Sequence, residues 1–160
     1  MEKILIAIDN SAGSLKAIGY AGRQYYQRKD IQITLFHVLL GEPPEFWDDG
    51  HILTEEEKKA RKHVIKKWST NKKKELGPLF NKAREVLTEQ GIPAKQIKTK
   101  FSIESLHLVP QRIVGEAKAG GYKTIIIGRC GRSHLKHILL GSIANKIINS
   151  AIGIAVWVVD

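Results

Sequence analysis

A single cysteine in 160 residues rules out a disulfide within the chain and any zinc site built on clustered thiolates. That composition suits a reducing compartment, and the cytoplasm is the expected location. Aromatic residues reach only 7%, and they are not interleaved with the basic residues as platforms for stacked bases would be. No apolar run approaches the roughly 20 residues that a membrane-spanning helix needs. Neither a membrane partner nor a signal peptide ahead of the first strand at Lys3 is therefore expected. Acidic residues are scarce, 16 against 26 basic ones, for a formal net charge of +10. Two phosphate-binding signatures are also missing: no glycine is followed by Lys-Ser or Lys-Thr, and no run has the spacing G-x-G-x-x-G. The composition is that of a soluble globular protein, and the length suits one domain over 1–160, large enough to bury a core without staples.

What is present centres on the stretch from Gly128 to Ser142. Thr124-Ile125-Ile126-Ile127 ahead of it reads as a buried strand, and Ile143-Ala144-Asn145-Lys146-Ile147-Ile148 behind it has helical spacing. A basic loop bearing glycines thus joins a strand end to a helix start. Glycine lets backbone N–H groups approach an anion, and a helix N-terminus adds unpaired donors and a favourable dipole. Arg129, Arg132 and Lys136 supply charge, and Ser142 a hydroxyl. Arg129 and Arg132 are candidates to pair with phosphate oxygens, solvated arginines being the alternative. The competing reading of the loop is a long connection whose glycines only make turns. His134 and His137 have no third ligand nearby and read as exposed. Cys130 reads as a small passive residue rather than a redox sensor.

The other elements alternate. Lys3 to Ile8 is a strand, and Asn10 or Ser11 caps a helix running to about Lys29. Ile31 to Leu39 is the second strand, with His37-Val38 at its C-terminal end, where open α/β sheets place ligands. Thr54-x-x-Glu57 has the form of a capping box. From there to Gln90 the pattern is helical; one unbroken helix looks too long for the domain, so an interruption is expected within 69–78, at Ser69-Thr70-Asn71 or Gly77-Pro78. Between Thr54 and Leu76, nine Lys/Arg face four Glu. That charge reads first as a solvated helix face and second as a patch for nucleic acid. Gln96 to Ile103 is the third strand, Pro110 opens the third helix, Lys123 to Ile127 is the fourth strand and Ile152 to Val159 the fifth. Alternation of this kind argues for a parallel sheet with helices on both faces.

The glycine spacing from Gly128 is Gly-x2-Gly-x9-Gly-Ser, at 128, 131, 141 and 142. With the opening Ile4-Leu5-Ile6-Ala7-Ile8-Asp9, it resembles the universal stress protein family, specifically its ATP-binding branch. The resemblance covers nearly the whole chain, the ends by motif and the middle by pattern. Departures are Val109-Pro110-Gln111 where a Gly-Asp/Glu-Pro-Ala run is usual, Lys123-Thr124 in place of an Asp before the fourth strand, and Asn10 in place of a Gly.

The resemblance implies a five-stranded, doubly wound, Rossmann-like α/β sheet of the adenine nucleotide alpha hydrolase kind, with strand order 3-2-1-4-5. It sets the loops after strands one and four side by side. It also implies that Gly128, Gly131, Gly141 and Ser142 hold ribose and phosphates, with backbone donors at Gly141, Ser142 and Ile143. Asp9 would sit by the nucleotide and its Mg²⁺ or Mn²⁺, reaching the metal through water; closing a turn is its alternative role. Val38 would pair its backbone with the adenine edge. The apolar last strand would be an edge that invites pairing, and the family's habit implies a homodimer there, with Val156, Trp157 and Val158 at the interface. A Trp157 covered by the chain's own helix would instead give a monomer. The expected function is an ATP-binding regulatory module of the stress response, with no catalytic residue assigned. The alternatives are a slow ATPase or phosphotransferase, and a nucleic-acid binder through 54–76, the less favoured partner.

Overall fold

Dense β-branched runs become strands and the stripes between them become helices. The computed structural model describes residues 1–41, 54–129 and 140–160. Its strands are β1 (Glu2–Ala7), β2 (Ile31–Leu40), β3 (Ile97–Glu104), β4 (Thr124–Gly128) and β5 (Ala155–Val159). They pair in parallel in the order β3-β2-β1-β4-β5, as the family resemblance implied. The inner strands carry the most apolar sequence: Ile4, Leu5, Ile6, Ile125 and Ile126 have no exposed surface. Strands covered on both faces need such runs.

Among the described residues four α-helices cover the sheet: α1 (Ala12–Gln24), α2 (Glu55–Glu89), α3 (Val109–Gly120) and α4 (Ser142–Ser150). Ile4, Ile6, Ile31, Ile33 and Leu35 pack with α1 and α2 on one face. Leu5, Phe36, Ile125 and Ile127 pack with α3 and α4 on the other. Helices leaving β1 and β4 therefore go to opposite faces. That makes the β1/β4 boundary the topological switch point, with a crevice at the C-terminal strand ends.

Three expectations need correction. First, α2 is unbroken over 35 residues, with Pro78 inside it, so it spans about 52 Å at ~1.5 Å per residue. Pro78 is exposed, on the side away from the buried Leu76, Phe80, Ala83 and Leu87. The carbonyl it leaves without a helical donor therefore faces water, and packing on both sides of Pro78 holds the axis. The helix is accommodated because its first 21 residues, 55–75, contain none that is buried. The capping box at Thr54 and Glu57 starts it as expected. Second, α1 ends at Gln24 with Tyr25 as its C-cap, short of Lys29. Third, Trp157 does not face outward from β5. It stacks on Tyr25 at 5.4 Å and 7° and meets Tyr20 edge-on at 5.8 Å and 80°, both on or beside α1. The indole is thus packed against the chain's own α1 segment.

Candidate functional site

At the end of β1 the chain turns through Asp9-Asn10-Ser11 into α1. Ser11 is the N-cap, its Oγ accepting from Ser14 N–H at 3.1 Å. Asp9 Oδ1 accepts from Ser11 N–H at 3.0 Å and from the Ser11 hydroxyl at 2.5 Å. Asp9 N–H in turn donates to Ser14 Oγ at 3.0 Å. The Asp9-x-Ser11-x-x-Ser14 spacing is the sequence signal for this network, of which Ser14 was not foreseen. Asp9 closes a turn, with one carboxylate oxygen already engaged. Among the described residues no group of three His, Cys, Asp or Glu could hold a metal. A Mg²⁺ or Mn²⁺ at Asp9 would therefore depend on water and on phosphate oxygens from a nucleotide.

The end of β2 runs on past β1. The last ladder pairing is Ala7 with Phe36, and Ile8 N–H donates to Phe36 O at 2.8 Å. Backbone groups alternate sides along a strand, so the next residue to point its N–H and C=O toward β1 is Val38. On that side, among the described residues, Val38 has no backbone partner. On its other side β2 continues in register with β3, as far as Leu40 with Glu104. The result is a half-buried donor–acceptor edge over the crevice.

The second wall is the end of β4 with the start of α4. Gly128 lies against the first turn of α1: a Cβ there would fall 2.6 Å from Gly13 C and 2.8 Å from Gly13 O. Arg129 N–H donates to Val159 O at 2.7 Å, and Arg129 O accepts from Gly141 N–H at 3.1 Å. The Gly141 amide is thereby engaged within the protein, which corrects its expected role as a donor to phosphate. Gly141 serves instead as the N-cap of α4. Ser142 and Ile143 follow in the first turn, where N–H groups have no intrahelical acceptor. The Arg129 guanidinium is also placed differently from expectation, with Nε 2.9 Å from Asp160 Oδ1. Cys130, Gly131, Arg132, His134, Lys136 and His137 lie outside the described residues.

Chemically, the crevice offers two features from opposite sides of the switch point. An unpaired peptide edge at Val38 can exchange two hydrogen bonds with a planar base carrying adjacent donor and acceptor atoms. The start of α4 offers amides and a dipole that favour an anion, an effect of about 0.3–1 kcal/mol for an exposed charge. A nucleotide's base and its charged tail match that pairing, so the described residues fit the group.

A family model described as the universal stress protein family matches residues 1–159. The chain belongs to that family. Universal stress protein YxiE of Bacillus subtilis is 28% identical over 148 residues, covering 91% of this chain and 90% of its own length. Among solved structures, a universal stress protein in complex with cAMP has a TM-score of 0.61 at 15% identity, covering 99% of this chain and 96% of its own. The universal stress protein of Archaeoglobus fulgidus in complex with dAMP has a TM-score of 0.58 at 17% identity, covering 100% and 98%. At these identities the structural likeness speaks for the fold. No helix among the described residues is long and apolar enough to cross a membrane.

Proposed function

We propose that this chain is a cytoplasmic nucleotide-binding module that takes an adenine nucleotide, ATP foremost, into the crevice between Val38 and the start of α4. The observation that carries the reading is the Val38 peptide edge, which among the described residues has no backbone partner on the β1 side. Supporting it are the first turn of α4, to which no described side chain gives a cap bond, and the cAMP and dAMP bound by two family members of the same fold. Gly128, Ser142 and Ile143 line the phosphate side in this reading. Gly131 and Arg132 join them through the family's motif, and Asp9 reaches Mg²⁺ or Mn²⁺ through water. Binding would regulate an unidentified partner in the stress response. A homodimer through β5 would rest on its outer backbone edge, Val156 and Val158, with Trp157 committed inward.

The test is direct. Purified protein is denatured and its released small molecules are identified by mass spectrometry, and the stripped protein is titrated calorimetrically with ATP, GTP and inorganic triphosphate. Carried-over adenine nucleotide and a clear preference for ATP are expected. Equal affinity for GTP would remove adenine from the proposal, and absence of all three interactions would remove the nucleotide.

A further inference from the structure

His37 sits beside the base-reading edge and has no assigned role. It is 7% exposed, and its ring Nδ1 lies 2.8 Å from Ile8 O. A carbonyl can only accept, so Nδ1 carries the proton and donates, which sets the tautomer. Ile8 O is the same atom that Val38 N–H would meet if the β1–β2 ladder advanced one more step. Ile8 N–H already donates to Phe36 O, and in a parallel pair the next rung runs from the residue two further along to that residue's own carbonyl. A buried carbonyl must have a donor. Here the imidazole supplies it, at the point where the described β1–β2 ladder ends.

We propose that His37 is a positioning residue for nucleotide recognition: by occupying Ile8 O with its Nδ1–H, it keeps the Val38 amide out of the sheet and available to a bound base. The inference rests on the reading of Val38 as the adenine-binding edge. Its structural half, the competition between two donors for one carbonyl, can be measured without any ligand. The same bond holds Ile8 against β2 where the chain bends toward α1, so side chain and backbone turn form one device. Removing the imidazole donor lets Val38 N–H close onto Ile8 O, and the edge loses its donor.

The experiment compares wild type with His37→Phe, which keeps a ring and lacks the donor, and His37→Asn, whose amide nitrogen reaches about where Nδ1 lies. Amide hydrogen exchange of ligand-free protein is read at Val38 and at Phe36, and calorimetry follows with ATP and inorganic triphosphate. In wild type, Val38 is expected to exchange at least about tenfold faster than Phe36, whose amide faces the same strand. In His37→Phe, Val38 exchange slows about tenfold or more and ATP affinity falls at least about tenfold, while triphosphate affinity is unchanged. His37→Asn restores both. A slow Val38 amide in wild type overturns the inference, and does so even if His37→Phe fails to fold. Unchanged Val38 exchange in a folded His37→Phe also overturns it, as does an equal loss of ATP and triphosphate affinity. If wild type binds no adenine nucleotide, the proposed function fails while the exchange data still decide the role of His37.

Discussion

The two walls of the crevice are built on different principles. On the β1–β2 wall the polar side chains are occupied with one another or with backbone: Asp9 with Ser11, Ser11 with Ser14, His37 with Ile8 O. What the wall offers besides the second Asp9 carboxylate oxygen is chiefly main chain. On the β4–α4 wall, close backbone approach at Gly128 and a helix start at Gly141 set the geometry. The described arginine at the end of β4, Arg129, lies against Asp160. Among the described residues, Asp9, His37 and Arg129 therefore act as scaffolding, and in the proposed function recognition falls to peptide groups beside them.

The contrast can be broken most severely at the point where the walls touch. Gly128→Val places a branched side chain into the Gly13 backbone and is expected to cost about 1–3 kcal/mol or more, as overpacking does; urea denaturation would show it as a lower midpoint. Wild-type stability in that variant would mean that β4 and α1 are not in contact there. Val38→Pro removes the edge's donor without touching the ladder to β3, because the Val38 amide faces the other way. ATP affinity should fall about tenfold, worth ~1.4 kcal/mol, with triphosphate binding kept. Ser11→Ala removes the α1 cap and should destabilise by about 1 kcal/mol; a smaller loss would show that Asp9 caps the helix unaided.

Milder changes sharpen the comparison. Asp160→Asn breaks a largely exposed ion pair and should alter stability by no more than about 1 kcal/mol, read by thermal denaturation. The stack of Tyr25 on Trp157, which joins α1 to β5, is open to a pH test. Burial raises the Tyr25 phenol above its ordinary value, which is near 10. The folded state therefore keeps this proton after the unfolded chain begins to lose it. The Tyr25 contribution is complete below about pH 10 and is lost as pH climbs through the folded value. Tyr25→Phe should flatten that part of the alkaline stability curve, recorded by denaturation at stepped pH.

Legibility differed by element for physical reasons. Period-two runs such as Ile31 to Leu39 and the Thr54/Glu57 box have local causes and could be read directly. The continuity of α2 could not. Whether Gly77-Pro78 breaks a helix depends on which side of the axis the proline falls relative to the buried Leu76, Phe80, Ala83 and Leu87, a tertiary matter. Trp157 in an apolar edge strand was expected at an interface, and its stack on Tyr25 and edge contact with Tyr20, both on a distant segment, could not be read from spacing. Arg129 had an acid partner 31 positions away that spacing does not reveal.

By itself the amino-acid order determined the alternation of strands and helices, the Thr54/Glu57 cap of α2 and the glycine spacing that marks the family, since all of these follow from short-range sterics and periodicity. Only the folded molecule decided which donors meet which carbonyls at the strand ends. Those pairings join residues far apart in the chain: Gly141 with Arg129, His37 with Ile8, Gly128 with Gly13. Which backbone groups stay open to a ligand is set by that competition, and a competition among distant partners has no local signature.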